Sequence, residues 1–99
     1  MTGVTDQVNE ARRRKIEGLL REALDPVHLV VEDESHLHRG HAGAREGGHF
    51  RVTVASAAFE GKSLVEQHRL VQDRVRGLIG TEIHALALKT IPASRWQPG

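Results

Sequence analysis

Apolar and polar residues alternate with period two from His49 to Ser56. Phe50, Val52 and Val54 fall between His49, Arg51 and Thr53, the pattern of a half-buried strand. Past Ser63 the period changes. Leu64, Val71, Val75, Leu78 and Ile79 recur at spacings near 3.6, which places them on one helical stripe, and Gly80 stands where a left-handed residue would stop that helix. Ile83 to Leu88 reads as a strand again. Strand, helix and strand in so short a span make a crossover unit, with the two strands parallel and the connection right-handed.

Upstream, Ile16, Leu19, Leu20, Ala23 and Leu24 follow the helical repeat, and Thr5 or Asp6 is placed to cap the helix after a frayed tail at 1–5. Glu10 with Arg14, and Glu17 with Arg21, stand four apart in the favourable orientation. The basic run Arg12 to Lys15 is flanked by acids and reads as a solvated helix face. Asp25 before Pro26 ends the helix. Val27 to Asp33 is the first strand. The connection Glu34 to Gly48 carries four glycines and three histidines. A connection this long in a small domain is either functional or disordered, and its histidines favour function. Pro92 to Trp96 forms a last helical turn, with Trp96 capping the edge of the core, and 97–99 fray.

The order is helix, strand, strand, helix, strand. It predicts an α+β layer with both helices on one face of a three-stranded mixed sheet. A hairpin followed by a right-handed crossover gives sheet order 1-2-3, with strands 1 and 2 antiparallel and strands 2 and 3 parallel. This is the topology of the type II KH-like fold.

Composition narrows the function classes. The 99 residues suit one domain, 38% hydrophobic and 27% charged, with a net charge of +1. That balance gives no electrostatic argument for nucleic acid or an acidic membrane. No cysteine is present, so there is no disulfide, thiolate nucleophile or self-sufficient thiolate metal site. No apolar run is long enough to span a bilayer and no signal-peptide core opens the chain, which predicts a cytoplasmic protein.

Three motifs invite a functional reading. Ser56 to Ser63 reads SAAFEGKS, but a phosphate-binding loop needs glycine where Ser56 stands. Gly40-His41-Ala42-Gly43 fits the GxxG clamp of nucleic-acid-binding KH domains, yet it joins two strands where the clamp joins two helices. The third is the histidine set: His36, His38 and His41 in the long connection, and His84 at the start of the last strand. Neutral imidazole is a good ligand for zinc, copper or iron. Apolar residues on both faces of the last strand leave the direction of His84 open. No paired carboxylates, no nucleophile with a base and no cofactor loop support an enzyme.

Taken together, VEDES at 31–35, HFRVTVAS at 49–56, FEGKSLVEQHRLV at 59–71, IHALALKT at 83–90 and Trp96 resemble the BolA family over roughly residues 12–96. The resemblance implies the KH-like fold. It also implies association with a monothiol glutaredoxin and its glutathione around a bridged 2Fe-2S cluster that the isolated chain lacks. That would serve cluster trafficking or iron and redox regulation. The family's histidine in the last strand corresponds to His84. A second ligand, cysteine or histidine by subgroup, comes from the connection between the first two strands, and a chain without cysteine falls in the histidine subgroup. Counting forward from Ser35 gives His38, and counting back from His49 gives His41. His68 and Arg69 belong to the family signature as partner-binding residues, or as a helix-surface pair that fixes a turn. The competing function is transcriptional regulation through DNA, with Lys62, Arg69, Arg74 and Arg76 on phosphates and weak binding expected, because Glu66 and Asp73 interrupt that face. The chain alone is expected to be a monomer or weak homodimer.

Overall fold

Helix formation begins upstream of both expected caps. In the computed structural model, which describes residues 4–35 and 48–97 (side chains from residue 7), α1 spans Val4–Leu24. Thr5 and Asp6 lie inside it rather than at its cap, because extending a formed helix adds one hydrogen bond per residue fixed. Glu10 binds Arg13 and Arg14, each at 3.0 Å, and Glu17 reaches Arg13 at 3.6 Å and Arg21 at 3.7 Å. Ile16, Leu20 and Leu24 are buried, whereas Leu19 points outward. The helix stops where expected: Asp25 turns left-handed at φ 44° ahead of Pro26, its N–H still bonded to the Arg21 carbonyl at 3.1 Å.

Three strands follow the predicted order. β1 (His28–Asp33) pairs antiparallel with β2 (Gly48–Ser56), and β2 pairs parallel with β3 (Ile83–Pro92). The expected β3 ended at Leu88, but pairing continues through Thr90↔Val54 to Pro92↔Ser56. Leu29, Val31, Phe50, Val52, Val54 and Ile83 bury against Ile16, Leu20, Val71 and Val75 of the helices. A short 3-10 turn, Ala57–Phe59, drops the Phe59 ring into the same core. Ser56, where a phosphate loop would need glycine, is fully buried. Its hydroxyl donates to the Leu24 carbonyl at 2.6 Å and accepts from the Ala58 N–H at 3.0 Å, tying the end of α1 to the end of β2.

Helix α2 (Leu64–Val75) is shorter than its apolar stripe suggested. Ser63 caps it in a reciprocal box with Glu66. The first residue of α2 to reach the interior is Gln67, whose amide donates to the Lys62 carbonyl and accepts from the Thr90 hydroxyl. Leu64 has the right angle on the helix but sits in the first turn, 60% exposed. At the other end the chain tightens into a 3-10 turn, Arg76–Leu78, and Gly80 takes φ 89° beyond it. Ile79, 50% exposed, is therefore not on the buried stripe. A last 3-10 turn, Ala93–Arg95, is held by Glu60 through the N–H and hydroxyl of Ser94. Trp96 then stacks on His28, centroids 4.0 Å apart.

The basic run of α1 is not a uniformly solvated face. Arg13 and Arg14 stay on the helix surface, but Arg12 and Lys15 both reach Glu82, just ahead of β3, at 3.1 and 3.0 Å. Four glutamates are held below their ordinary value of 4.5. Arg13, then Arg14, bring Glu10 down to about 2. The Ser94 N–H lowers Glu60, the Ser63 N–H lowers Glu66, and Lys15 lowers Glu82. Each binds a proton more readily in the unfolded chain, so its stabilisation is present above about pH 4.5 and is lost as pH falls through the folded values. The urea midpoint should therefore decline steadily from about pH 4.5 towards pH 2, and added salt should blunt the decline because these groups are exposed. A midpoint that is flat across that window would contradict this assignment.

Candidate functional site

Ile83 and Leu86 are three residues apart, yet Ile83 is fully buried and Leu86 packs against the same core. Strict alternation would send them to opposite faces. The strand resolves this by slipping one residue. Gly48 pairs with Ile83, but His49 pairs with Ala85, so the register skips His84. A bulge of this kind re-aims the side chain that it carries. His84 is exposed, and its ring lies 5.0 Å from that of His49, tilted by 55°.

The backbone around this pair is held at several points. The His49 carbonyl accepts from the Glu34 N–H at 2.7 Å, and the His49 N–H donates to the Ser35 hydroxyl at 3.0 Å. Ser35 is itself turned by the Asp33 carboxylate, which accepts from its N–H at 2.9 Å. On the other side, the Gly48 N–H donates to the Glu82 carbonyl at 3.0 Å. The Glu82 carboxylate reaches Arg12 and Lys15, so α1 braces the entry to β3. Arg51, next along the same face of β2, is engaged by Glu34 at 3.1 Å.

The other expected site residues are distributed. His36, His38 and His41, with the Gly40–Gly43 motif, lie outside the described residues. His68 is half-buried on α2, and Arg69 is exposed in an open groove with Gln72, Asp73, Arg76, Ile79 and Leu86. That groove opens on the helix side of β3, opposite the histidine pair. Arg76 is paired with Asp73. Arg74 lies towards α1, beside Leu19 and Glu22, and Lys62 is in the turn before α2. The four cations named for phosphate contact therefore do not share one face.

His49 is the residue that sequence reasoning missed. Alternation assigned it to an ordinary polar position. The available signal was the parity conflict among Ile83, Leu86 and Leu88, which requires a bulge between Ile83 and Leu86; the register with β2 places His49 opposite it. Among the described residues, no three histidines, cysteines or acids gather as a metal-binding group, and no helix is long and apolar enough to cross a membrane.

Comparison with known proteins agrees with this architecture. The family described as BolA-like protein matches residues 20–94. The chain is 49% identical over 74 residues to a bolA-like protein of Caenorhabditis elegans, covering 75% of this chain and 67% of that one. It is 38% identical over 85 residues to the DNA-binding transcriptional regulator BolA of Escherichia coli, covering 86% and 79%. Among solved structures, the BolA domain of SufE1 from Arabidopsis thaliana aligns with a TM-score of 0.77 at 40% identity, covering 87% of this chain and 96% of that one. The chain spans 57% of the length of the chloroplastic BOLA1 of that plant and 23% of its SufE-like protein 1.

The approach of backbone at the bulge gives a direct test. A methyl group on Gly48 would come within 2.7 Å of the Phe50 ring and 3.0 Å of the Ser35 hydroxyl, and that ring is buried and cannot swing away. Gly48→Ala should cost about 1–3 kcal/mol of unfolding free energy, as overpacking does, read from urea unfolding. The His49 and His84 ring resonances should shift with it. An unchanged midpoint would show that the approach is looser than described.

Proposed function

The chain belongs to the BolA family, and from that premise we propose that it is a non-enzymatic partner of a monothiol glutaredoxin, sharing a bridged 2Fe-2S cluster with it for cluster transfer or iron and redox regulation. The observation that carries this reading is the placement of His84, an exposed imidazole aimed by a strand bulge beside a second imidazole. The donor set fits a shared cluster and not a resident one. The chain has no cysteine, and its described residues offer no group of three ligands. Thiolate sulfur would come from the partner's cysteine and its glutathione.

In this reading His84 would hold one iron through a ring nitrogen, and a second imidazole would come from the connection between β1 and β2, at His38 or His41 as the family resemblance implies. A cluster with histidine in place of thiolate on one iron is less negative and has a raised potential. Ligation requires the unprotonated imidazole, so retention weakens as pH falls. The braced backbone from Glu82 to Ala85 orients His84 before the partner arrives. The groove at Arg69 and Leu86 flanks the same exposed edge of β3, where a docked protein could reach both, with His68 beside it on α2.

A DNA-binding role is the second reading, favoured by the name of the Escherichia coli relative. Here Lys62, Arg69, Arg74 and Arg76 are divided between the pre-helix turn, the β3 groove and the α1 side, and Arg76 is paired. A divided set of cations supports only weak, salt-dependent phosphate contact.

Two outcomes follow. Mixed with a cluster-loaded monothiol glutaredoxin, the chain should form a one-to-one complex with an altered visible circular dichroism spectrum. His84→Ala should abolish the change while the far-ultraviolet spectrum stays native. Retention of the mixed spectrum by His84→Ala would remove the role given to that residue, and absence of any complex with the unmodified chain would remove the partnership. Affinity for a promoter fragment should fall steeply up to about 0.15 M salt without preference for sequence. Sequence-specific retention that is lost in Arg69→Ala would reverse the ranking of the two readings.

A further inference from the structure

At the end of the sheet remote from the bulge, Ser56 pairs with Pro92 and β3 runs into the 3-10 turn Ala93–Arg95. Beyond that turn the chain crosses the width of the sheet, from β3 to β1, to lay Trp96 on His28. Ala55 stands between them as the register partner of both His28 and Ile91. It is fully buried although its side of the sheet faces away from both helices, and the crossing segment accounts for that burial.

Two contacts hold the segment down. The indole of Trp96 stacks on the His28 imidazole, centroids 4.0 Å apart and planes within 17°. The Glu60 carboxylate accepts from the Ser94 N–H at 2.8 Å and from the Ser94 hydroxyl at 2.9 Å. Glu60 stands on a fixed base: Phe59 beside it is fully buried, and the Glu60 and Lys62 N–H groups donate to the Ala57 and Phe59 carbonyls. The turn that it grips is less secure. It is three residues long, closed by one bond from the Trp96 N–H to the Ala93 carbonyl at 3.1 Å, and Ser94 and Arg95 are exposed. A terminal segment of this kind opens locally far more readily than the fold as a whole.

We propose that residues 93–96 form an acid-released strap: Glu60 latches it shut as a carboxylate, and protonation of Glu60 frees Ser94 and lifts Trp96 off His28 while sheet and helices stay folded. A carboxylate accepts from both donors of Ser94 with its full charge, whereas a carboxylic acid carries a proton of its own and accepts more weakly. Arg95, on the same turn, adds an attraction that also needs the carboxylate. The Ser94 N–H, then its hydroxyl, hold Glu60 below its ordinary 4.5, so the latch is complete above that pH and is lost as pH falls beneath it through the folded value. The stack at His28 answers in the opposite sense. Ala55, its partner on β2, is uncharged, and an imidazolium is attracted to the face of an indole. Glu60 is therefore the acid-sensitive hold of the two. Release uncovers Ala55 and Ile91, an apolar strip at the far end of the sheet from the histidine pair.

Trp96 is the only tryptophan, so the indole emission of the unmodified chain reports the strap alone. Emission, quenching by acrylamide and far-ultraviolet circular dichroism are followed together from neutral pH downwards. Below about 4.5 the emission should move to longer wavelength and quenching should rise while the dichroism is still native. Glu60→Gln, which keeps the size and one acceptor oxygen but does not titrate, should remove that early step and leave only the change that accompanies unfolding. Glu60→Ala should show the released emission already at neutral pH with native dichroism. His28→Phe keeps an aromatic ring under the indole without an ionisable group, and should retain the early step. A step that persists in Glu60→Gln, or vanishes in His28→Phe, would overturn the latch. Emission that changes only together with the dichroism would overturn the strap.

Discussion

One parity constraint governs the functional end of this molecule. Ile83 is fully buried in the core, and Leu86 and Leu88 pack against the same core further along β3. An odd number of steps separates Ile83 from Leu86, so a regular strand cannot satisfy both. The sheet accepts a bulge, and the residue left over is His84. The direction of that imidazole is thus a by-product of hydrophobic packing: burying a side chain of this size is worth about 1.5–3 kcal/mol, more than the local ladder loses at one skipped pair. An exposed histidine on an ordinary strand end would have no comparable reason to point anywhere in particular.

The bulge is held from two directions. From beneath, Glu82 draws in Arg12 and Lys15, so the longest helix is attached to the turn that feeds β3. Surface ion pairs contribute little one by one. Here, however, one carboxylate gathers two cations, and its own backbone carbonyl takes the Gly48 N–H, which makes it a positioning element more than a source of stability. From the side, the Phe50 ring and the Ser35 hydroxyl crowd Gly48 so closely that a methyl group there would meet them at 2.7 and 3.0 Å. Helix, turn and strand converge on the few residues around His49 and His84.

The architecture was legible in the sequence because period and punctuation agreed. Alternation over Phe50, Val52 and Val54, the break at Asp25-Pro26, and the positive φ at Gly80 each emerged where expected. The errors were of depth and extent. Leu64 has the correct helical angle but precedes the first buried turn, and angle alone carries no information about how far the facing sheet reaches. Arg12 and Lys15 looked solvated because their partner, Glu82, is about 70 positions away in the chain, beyond any local charge pattern. The site was half legible. His84 was visible from its residue type and place, but its neighbour His49 was masked by the same alternation that identified β2. Register between parallel strands joined by a helix is set by the core, and local sequence reports it only indirectly.

The distribution of layers bears on how such a site would work. Both helices cover one face of the sheet, and the histidine pair stands on the other, at an edge strand that pairs only with β2 among the described residues. Among the described residues, no third histidine, cysteine or acid gathers beside the pair. Enclosure by protein ligands is what makes a metal site structural and long-lived, and open positions are what allow exchange. In the proposed reading, a chain that offers strand-borne imidazoles and no thiolate is better matched to receiving and releasing a metal group against a second protein than to storing one. The neutrality of imidazole works in the same direction. It adds no negative charge to anchor a metal, so in the proposed reading occupancy would depend on the ligands that the partner contributes and on pH.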